Sequence, residues 1–412
     1  MNARAKGSCV RTAEYMVSNM EKLIFHIDVN SAYLSWSAVE KLKNGSTVDL
    51  RAIPAIIGGD IQSRHGVVLA KSIPAKAYGI KTGEPVTHAR NKCPMLVLEP
   101  PNHALYSRYS KRLMELLVTF CPDIEQVSVD ECYMDFTEYQ GDYPSPVAAA
   151  TRIKDTVYET FGFTVNVGIS RNKLLAKMAS DFEKPNKVHT LFPEEIPDKL
   201  WPLPVSELYM VGRSAAASLR KLGIGTIGDL ARTDVNILTS HLKSHGRLIW
   251  EYANGLDDSP VHTEEADLKC VGNSTTLPKD VVTAQEARRV LLSLSSQVAG
   301  RLKKSGRLAG MVSTELKYAT FVRVSHQKQL PQATCSGKVL YDAACQLFDE
   351  LWNGEPIRLL GVRTSKLTVE DEPVQMSLFD LPRTQKEIRA EQTMEEMKKK
   401  FGENAIRKGY FP

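Results

Sequence analysis

The hydrophobic positions of this chain change period along its length, and each period marks an element. Leu23 to Ile27 is a continuous apolar run of the kind a buried strand shows, and it ends at Asp28-Val29-Asn30-Ser31. Asn30 or Ser31 stands where a helix cap belongs, and Tyr33, Trp36 and Glu40 then recur at helical spacing. Val67 to Ala70 reads as a strand, and Lys71 to Gly83, broken by Pro74 and the glycines and holding three lysines, as either a solvated loop or an anion-binding one. After Pro100-Pro101 an amphipathic helix is predicted over Tyr106 to Phe120. From Gln126 to Phe136 the side chains are β-branched or aromatic around Asp130-Glu131, which predicts two short strands joined by a tight acidic turn. A helix over Pro146 to Phe161, a strand over Thr164 to Ile169, and a helix over Arg171 to Asp181 capped by Ser170 follow.

Trp201-Pro202-Leu203-Pro204 interrupts the pattern, and short helices resume around the turn Met210-Val211-Gly212-Arg213, with one over Ser214 to Leu222. Asp257-Asp258-Ser259-Pro260 reads as a linker. Beyond it, alternation from Val312 to Val324 and helical periodicity over Ala284 to Leu302 and Lys338 to Trp352 predict a small α+β domain. A chain of 412 residues exceeds a single core, so several domains are expected. Residues 1–21 are polar and aperiodic, which predicts a disordered extension.

Composition narrows the class only a little. Hydrophobic residues make up 42% and charged residues 25%, with no apolar run of membrane-span length, so a cytoplasmic protein without a membrane partner is expected. The seven cysteines show no Cys-x-x-Cys spacing, which argues against a zinc site or a disulfide framework. A net charge of +5 permits a polyanionic partner without demanding one.

Candidate chemistry centres on the acidic turn. Adjacent carboxylates repel, and hard oxygen ligands of this kind suit magnesium; a solvated hairpin turn is the plainer reading. Asp28, at the end of a core strand, is either an Asx-turn or a third ligand. Arg171 and Lys173 occupy a predicted first helical turn, where the macrodipole disfavours cations, which indicates either an anionic ligand or a tolerated surface mismatch; Lys177, four residues after Lys173, shares its face. Between Gly300 and Leu330, Arg301, Lys303, Lys304, Arg307, Lys317, Arg323 and Lys328 face one acid, Glu315, as either a solvated face or the footprint of a phosphate backbone. Three carboxylates with lysines nearby are what metal-assisted phosphoryl transfer requires.

In combination, Ile27-Asp28-Val29-Asn30-Ser31-Ala32-Tyr33, Ser128-Val129-Asp130-Glu131, Gly168-Ile169-Ser170-Arg171-Asn172-Lys173 and Lys184-Pro185-Asn186 give the chain its family likeness. From about Leu23 to Phe379 it resembles the Y-family translesion DNA polymerases of the DinB and UmuC type. The resemblance implies an α+β right-hand polymerase. Its parts would be a palm (22–31 and 102–191), small fingers (32–101), a helix-hairpin-helix thumb (192–258), a linker (259–267), a DNA-holding little finger (268–370) and a flexible tail (371–412).

By the same resemblance Asp28, Asp130 and Glu131 are the catalytic carboxylates, and with the Val29 carbonyl they hold two Mg2+ ions. Tyr33 is the steric gate against ribose, and Ser31, Ala32, Lys76 and Lys184 contact the dNTP. Gly212 and Arg213, with Arg301, Lys303, Lys317 and Arg323, hold primer-template DNA. Gln375, Leu378 and Phe379, in Gln-Met-Ser-Leu-Phe, match the peptide that binds the sliding clamp; a monomer is expected. Ile73-Pro74-Ala75-Lys76 stands where the family has Tyr-Pro-Ala-Arg, which removes a phenol and a bidentate guanidinium. Cys132 replaces an Ala, and Met210 a Gly. Two rivals share the palm pattern: a nucleotide cyclase, whose signature is absent because Ile61-Gln62 follow Gly58-Gly59-Asp60 in place of Glu-Phe, and a DNA-bound regulator that keeps only the polymerase frame.

Overall fold

The computed structural model describes residues 21–60, 66–264 and 267–369, with 393, 397 and 400. The expected N-terminal extension and the clamp peptide lie outside these residues, save for Glu21 at the extension's end. The chain divides into two compact units at Ala266/Asp267.

In the first unit, β1 (Ile24–Val29) leads into α1 (Ala32–Lys43). A small layer follows: β2 (Ala55–Gly58), β3 (Val68–Lys71), α2 (Ile73–Ala77), α3 (Val86–Lys92) and β4 (Val97–Glu99). Then come α4 (His103–Leu117), β5 (Ile124–Gln126), β6 (Glu131–Asp135), α5 (Pro146–Phe161), β7 (Val165–Ser170), α6 (Lys173–Asp181) and β8 (Val188–Thr190). Four short helices close the unit: α7 (Arg213–Lys221), α8 (Ile227–Arg232), α9 (Val235–Leu242) and α10 (Ser244–Ala253).

The main sheet has the order β5-β6-β1-β7-β8. Alternation along its strands sends Phe25, Ile27, Val29, Cys132, Met134, Val167 and Ile169 to one face, where they bury against α4, α5 and Trp36 of α1. His26, Asp28 and Glu131 therefore turn to the opposite face, the one α6 covers. At Gly168 that helix rests directly on β7, since a Cβ there would stand 2.0 Å from the Ala176 carbonyl oxygen. The outer side of α6 contributes Leu174, Leu175 and Met178 to the core of the short helices. Being enclosed on both sides, α6 is fixed. The small layer is a sheet of order β3-β2-β4, and Leu34 and Ala38 of α1 pack on one of its faces.

Several local expectations change. Ser31 precedes α1, but with φ at 48° it is left-handed and its side chain caps nothing. Ser170 ends β7 and donates its hydroxyl to the Leu191 carbonyl, so Asn172 caps α6 instead. Lys71 to Gly83 is not all loop: Ser72 caps α2. The stretch after Asp257 is strapped to the sheet, because the Asp257 carboxylate accepts from Leu174 N and Glu125 accepts from His262 N.

The second unit is an antiparallel sheet of order β11-β10-β12-β9, built from β9 (Cys270–Val281), β10 (Arg307–Tyr318), β11 (Arg323–Thr334) and β12 (Ile357–Val369). Helices α11 (Ala284–Lys304) and α12 (Gly337–Leu351) bury Val312, Leu316, Leu360 and Val362 on one face. The alternating stretch from Val312 to Val324 is two strands, turned at Phe321, whose φ is 68°. Among the described residues no helix is long and apolar enough to cross a membrane.

Candidate active site

Antiparallel pairing sets Asp28 directly opposite Glu131, and Val29 N donates to the Asp130 carbonyl at 3.0 Å, so the three acidic residues share one end of the sheet. Ser128 organises the turn: its hydroxyl lies 2.6 Å from Asp130 Oδ1 and within 3.2 Å of the Asp130 and Glu131 amides. Burial, together with the charges of Asp28 and Glu131, pushes the Asp130 carboxyl above its usual range.

Two lysines stand among these acids. Lys177 Nζ is 3.2 Å from Glu131 Oε1 and 3.7 Å from Asp28 Oδ2. Lys184 Nζ is 2.5 Å from Asp28 Oδ2 and 2.9 Å from Asp181 Oδ1. Burial opposes the Lys184 charge, but Asp28 and Asp181 outweigh it and raise its pKa. The loop carrying Lys184 is pinned by an amide pair: Asn30 donates to Asn166 and accepts from Asn186 N, while Asn166 holds the Glu183 carbonyl at 2.7 Å. Burial lowers the pKa of His26, under the sheet end, whose Nε2 lies 3.5 Å from Glu131 Oε2. On the other side of the ring Nδ1 lies 2.8 Å from the Ser180 hydroxyl, which donates to the Lys177 carbonyl at 2.8 Å. That ring and Lys177 together hold the Glu131 carboxyl down to about 2.

Among the described residues no three His, Cys, Asp or Glu side chains are gathered as a ready metal cluster. The donor chemistry nevertheless fits a divalent cation: carboxylate oxygens, partly buried, with the charges of Asp28 and Glu131 adding to the burial that raises the Asp130 pKa. Asp28, Asp130 and Glu131 are the residues that would hold it.

The other expected residues are dispersed. Tyr33 stacks on Tyr106 with ring centroids 4.2 Å apart, and burial and the Asp130 charge push its phenol pKa up. Lys76 is exposed on α2; burial and the Lys76 charge lower the pKa of neighbouring Lys71. Lys173 does not offer itself to an anion, being paired with Glu125 at 2.6 Å. Arg171 precedes α6 and pairs with Glu21. Gly212 opens α7 without a side-chain cap, and Met210 holds φ at 70°, a conformation that suits glycine. The basic set of the second unit is not one surface. Arg301 and Lys303 end α11, on the helix side, with Arg301 donating to the Gly272 carbonyl. Lys317 and Arg323 are cross-strand partners on the open face.

Sequence reasoning noticed Lys177 only as a neighbour of Lys173, and it passed over His26 and Asn166. Their signal lies in pairing register, which a single sequence does not print.

Comparison with known proteins decides the family. The impB/mucB/samB family model matches residues 27–181, its C-terminal domain 268–378 and its helix-hairpin-helix motif 193–224. DNA polymerase IV of Clostridium acetobutylicum is 47% identical over 94% of this chain and 97% of its own length. The chain belongs to the DinB-type Y-family DNA polymerases. DNA polymerase IV 1 of Bacillus subtilis is 35% identical over 94% of this chain and 92% of its own. The fold of this family member matches a solved Y-family polymerase chimera of Dbh and Dpo4 with a TM-score of 0.73, at 23% identity over 84% of this chain and 99% of the chimera.

Proposed function

We infer that the chain is a DNA-directed DNA polymerase that copies damaged template, the activity of the family to which it belongs. A divalent-metal requirement and a DNA substrate come with that membership. The finer reading assigns Asp28, Asp130, Glu131 and the Val29 carbonyl to two magnesium ions, which would activate the attacking primer hydroxyl and neutralise the leaving pyrophosphate. The observation that carries it is the cross-strand pairing of Asp28 with Glu131 beside Asp130.

Around that point the chain's own residues have separable tasks. Tyr33, braced by Tyr106, fills the space a ribose 2′-hydroxyl needs, next to Ser31 and Ala32. Lys76 and Lys71 crowd positive charge on the finger layer and Lys184 hangs over Asp28, so a triphosphate relieves repulsion at one and replaces a carboxylate at the other. The uncapped α7 amides at Gly212 and Arg213 suit a DNA phosphate. On the second unit, Lys317 and Arg323 sit among Ser313, Ser325 and Gln327 on the open sheet face, which favours backbone rather than base contacts. Gln375, Leu378 and Phe379 would bring the polymerase to the sliding clamp as a monomer in the cytoplasm, a reading supported by their sequence alone.

Primer extension by purified protein with Mg2+ and the four dNTPs tests the activity. Template-dependent addition is expected, and its absence with bound DNA would favour a regulator that keeps only the frame.

A further inference from the structure

The two lysines of the acidic site differ in freedom. Lys177 leaves the middle of α6 with its side chain 11% exposed, and the helix beneath it is clamped between Gly168 and the short-helix core. Its ammonium touches Glu131 at 3.2 Å, Asp28 at 3.7 Å and Asp181 at 3.6 Å. Lys184 sits on the loop after the helix and is 35% exposed. Lys177 is held deeper, buried on the helix itself.

We propose that Lys177 is the resident counter-ion of the site. It is a positioning residue that spaces Asp28 and Glu131, and its fixed charge keeps these carboxylates from taking up a free divalent cation before a nucleotide arrives. The inference rests on the reading of the three acids as cation ligands. A cation approaching Asp28 and Glu131 meets an ammonium already in contact with both, in a half-buried site where water screens little. A triphosphate brings enough negative charge to offset that ammonium. The site therefore favours the metal together with nucleotide over metal alone.

The test is Mn2+ binding to the full chain without DNA or nucleotide, followed by electron paramagnetic resonance, for wild type, Lys177→Met and Lys177→Arg. Lys177→Met is expected to bind Mn2+ about tenfold more tightly than wild type, because one contacting positive charge is gone. Lys177→Arg keeps the charge and stays within about twofold of wild type. Adding dATP narrows the gap between Lys177→Met and wild type. In chelator, Lys177→Met melts lower than wild type, and Mn2+ restores it. Equal or weaker Mn2+ binding by a folded Lys177→Met overturns the proposal, as does a variant that stays unfolded when Mn2+ is added. Primer extension by wild type is scored separately: if it fails while Lys177→Met still gains Mn2+ affinity, the polymerase reading falls and the counter-ion assignment stands.

Discussion

The acidic end of the first unit and the open sheet face of the second both carry charge, and they handle it in opposite ways. In the first, each acid is met at short range by a lysine or a hydrogen bond inside a partly buried cluster, with Lys184 2.5 Å from Asp28 and Ser128 2.6 Å from Asp130. In the second, Lys317 and Arg323 stand on solvent-facing strands, Lys317 over the Phe321 ring and Arg323 on Glu315. Buried charge is arranged for one geometry, and removing a member breaks the whole. Exposed charge is summed, so members are lost by increments. If the first is a site for chemistry and the second a surface that holds a polyanion, the two fail differently.

The strongest way to break this contrast is to remove an acid. Asp130→Ala or Glu131→Ala should lower nucleotide addition about a thousandfold or more while leaving DNA affinity within about twofold. A variant that still extends primers readily refutes the assignment. Next is Gly168→Ala, which forces a methyl into the Ala176 carbonyl and must push α6 off the sheet. We expect a loss of about 3 kcal/mol in stability, read as a lower melting temperature. An unchanged melt would mean that the helix yields at little cost. Tyr33→Ala should raise the use of rNTP relative to dNTP by about thirtyfold. If the ratio holds and only stability drops, Tyr33 is a packing residue against Tyr106. The smallest effect belongs to the second unit, where Lys317→Ala with Arg323→Ala should weaken DNA binding about tenfold and reduce the salt slope by about two. A loss of single-turnover rate at saturating DNA would contradict the division between the two regions.

Much of the fold was legible because period and punctuation agree. The helix over Pro146 to Phe161 matches its expected span at both ends, with Ser145 and Gly162 as caps. The acidic turn was legible for the same reason. The errors have local causes. Ala319 to Val322 continues an apolar pattern through a reversal of direction, so the alternation over Val312 to Val324 does not print the turn between its two strands. Ser170 has the chemistry of a cap, but a carbonyl at Leu191, far away in sequence, claims its hydroxyl. Lys173 and Lys177 lie on one helix and look equivalent, yet Glu125 takes the first and the acidic site the second, a distinction made by strand pairing alone.

Gly168 has an evolutionary consequence. Because α6 meets β7 through main-chain atoms there, the distance from the lysine-bearing helix to the acid-bearing strands does not depend on which side chains fill the core. Leu174 or Ile153 can be exchanged for residues of similar size over many generations, and the packing around them drifts. The gap that Lys177 spans stays constant through that drift. A descendant with an unfamiliar interior would still place an ammonium over the same pair of carboxylates, as long as the strand keeps a residue with no side chain.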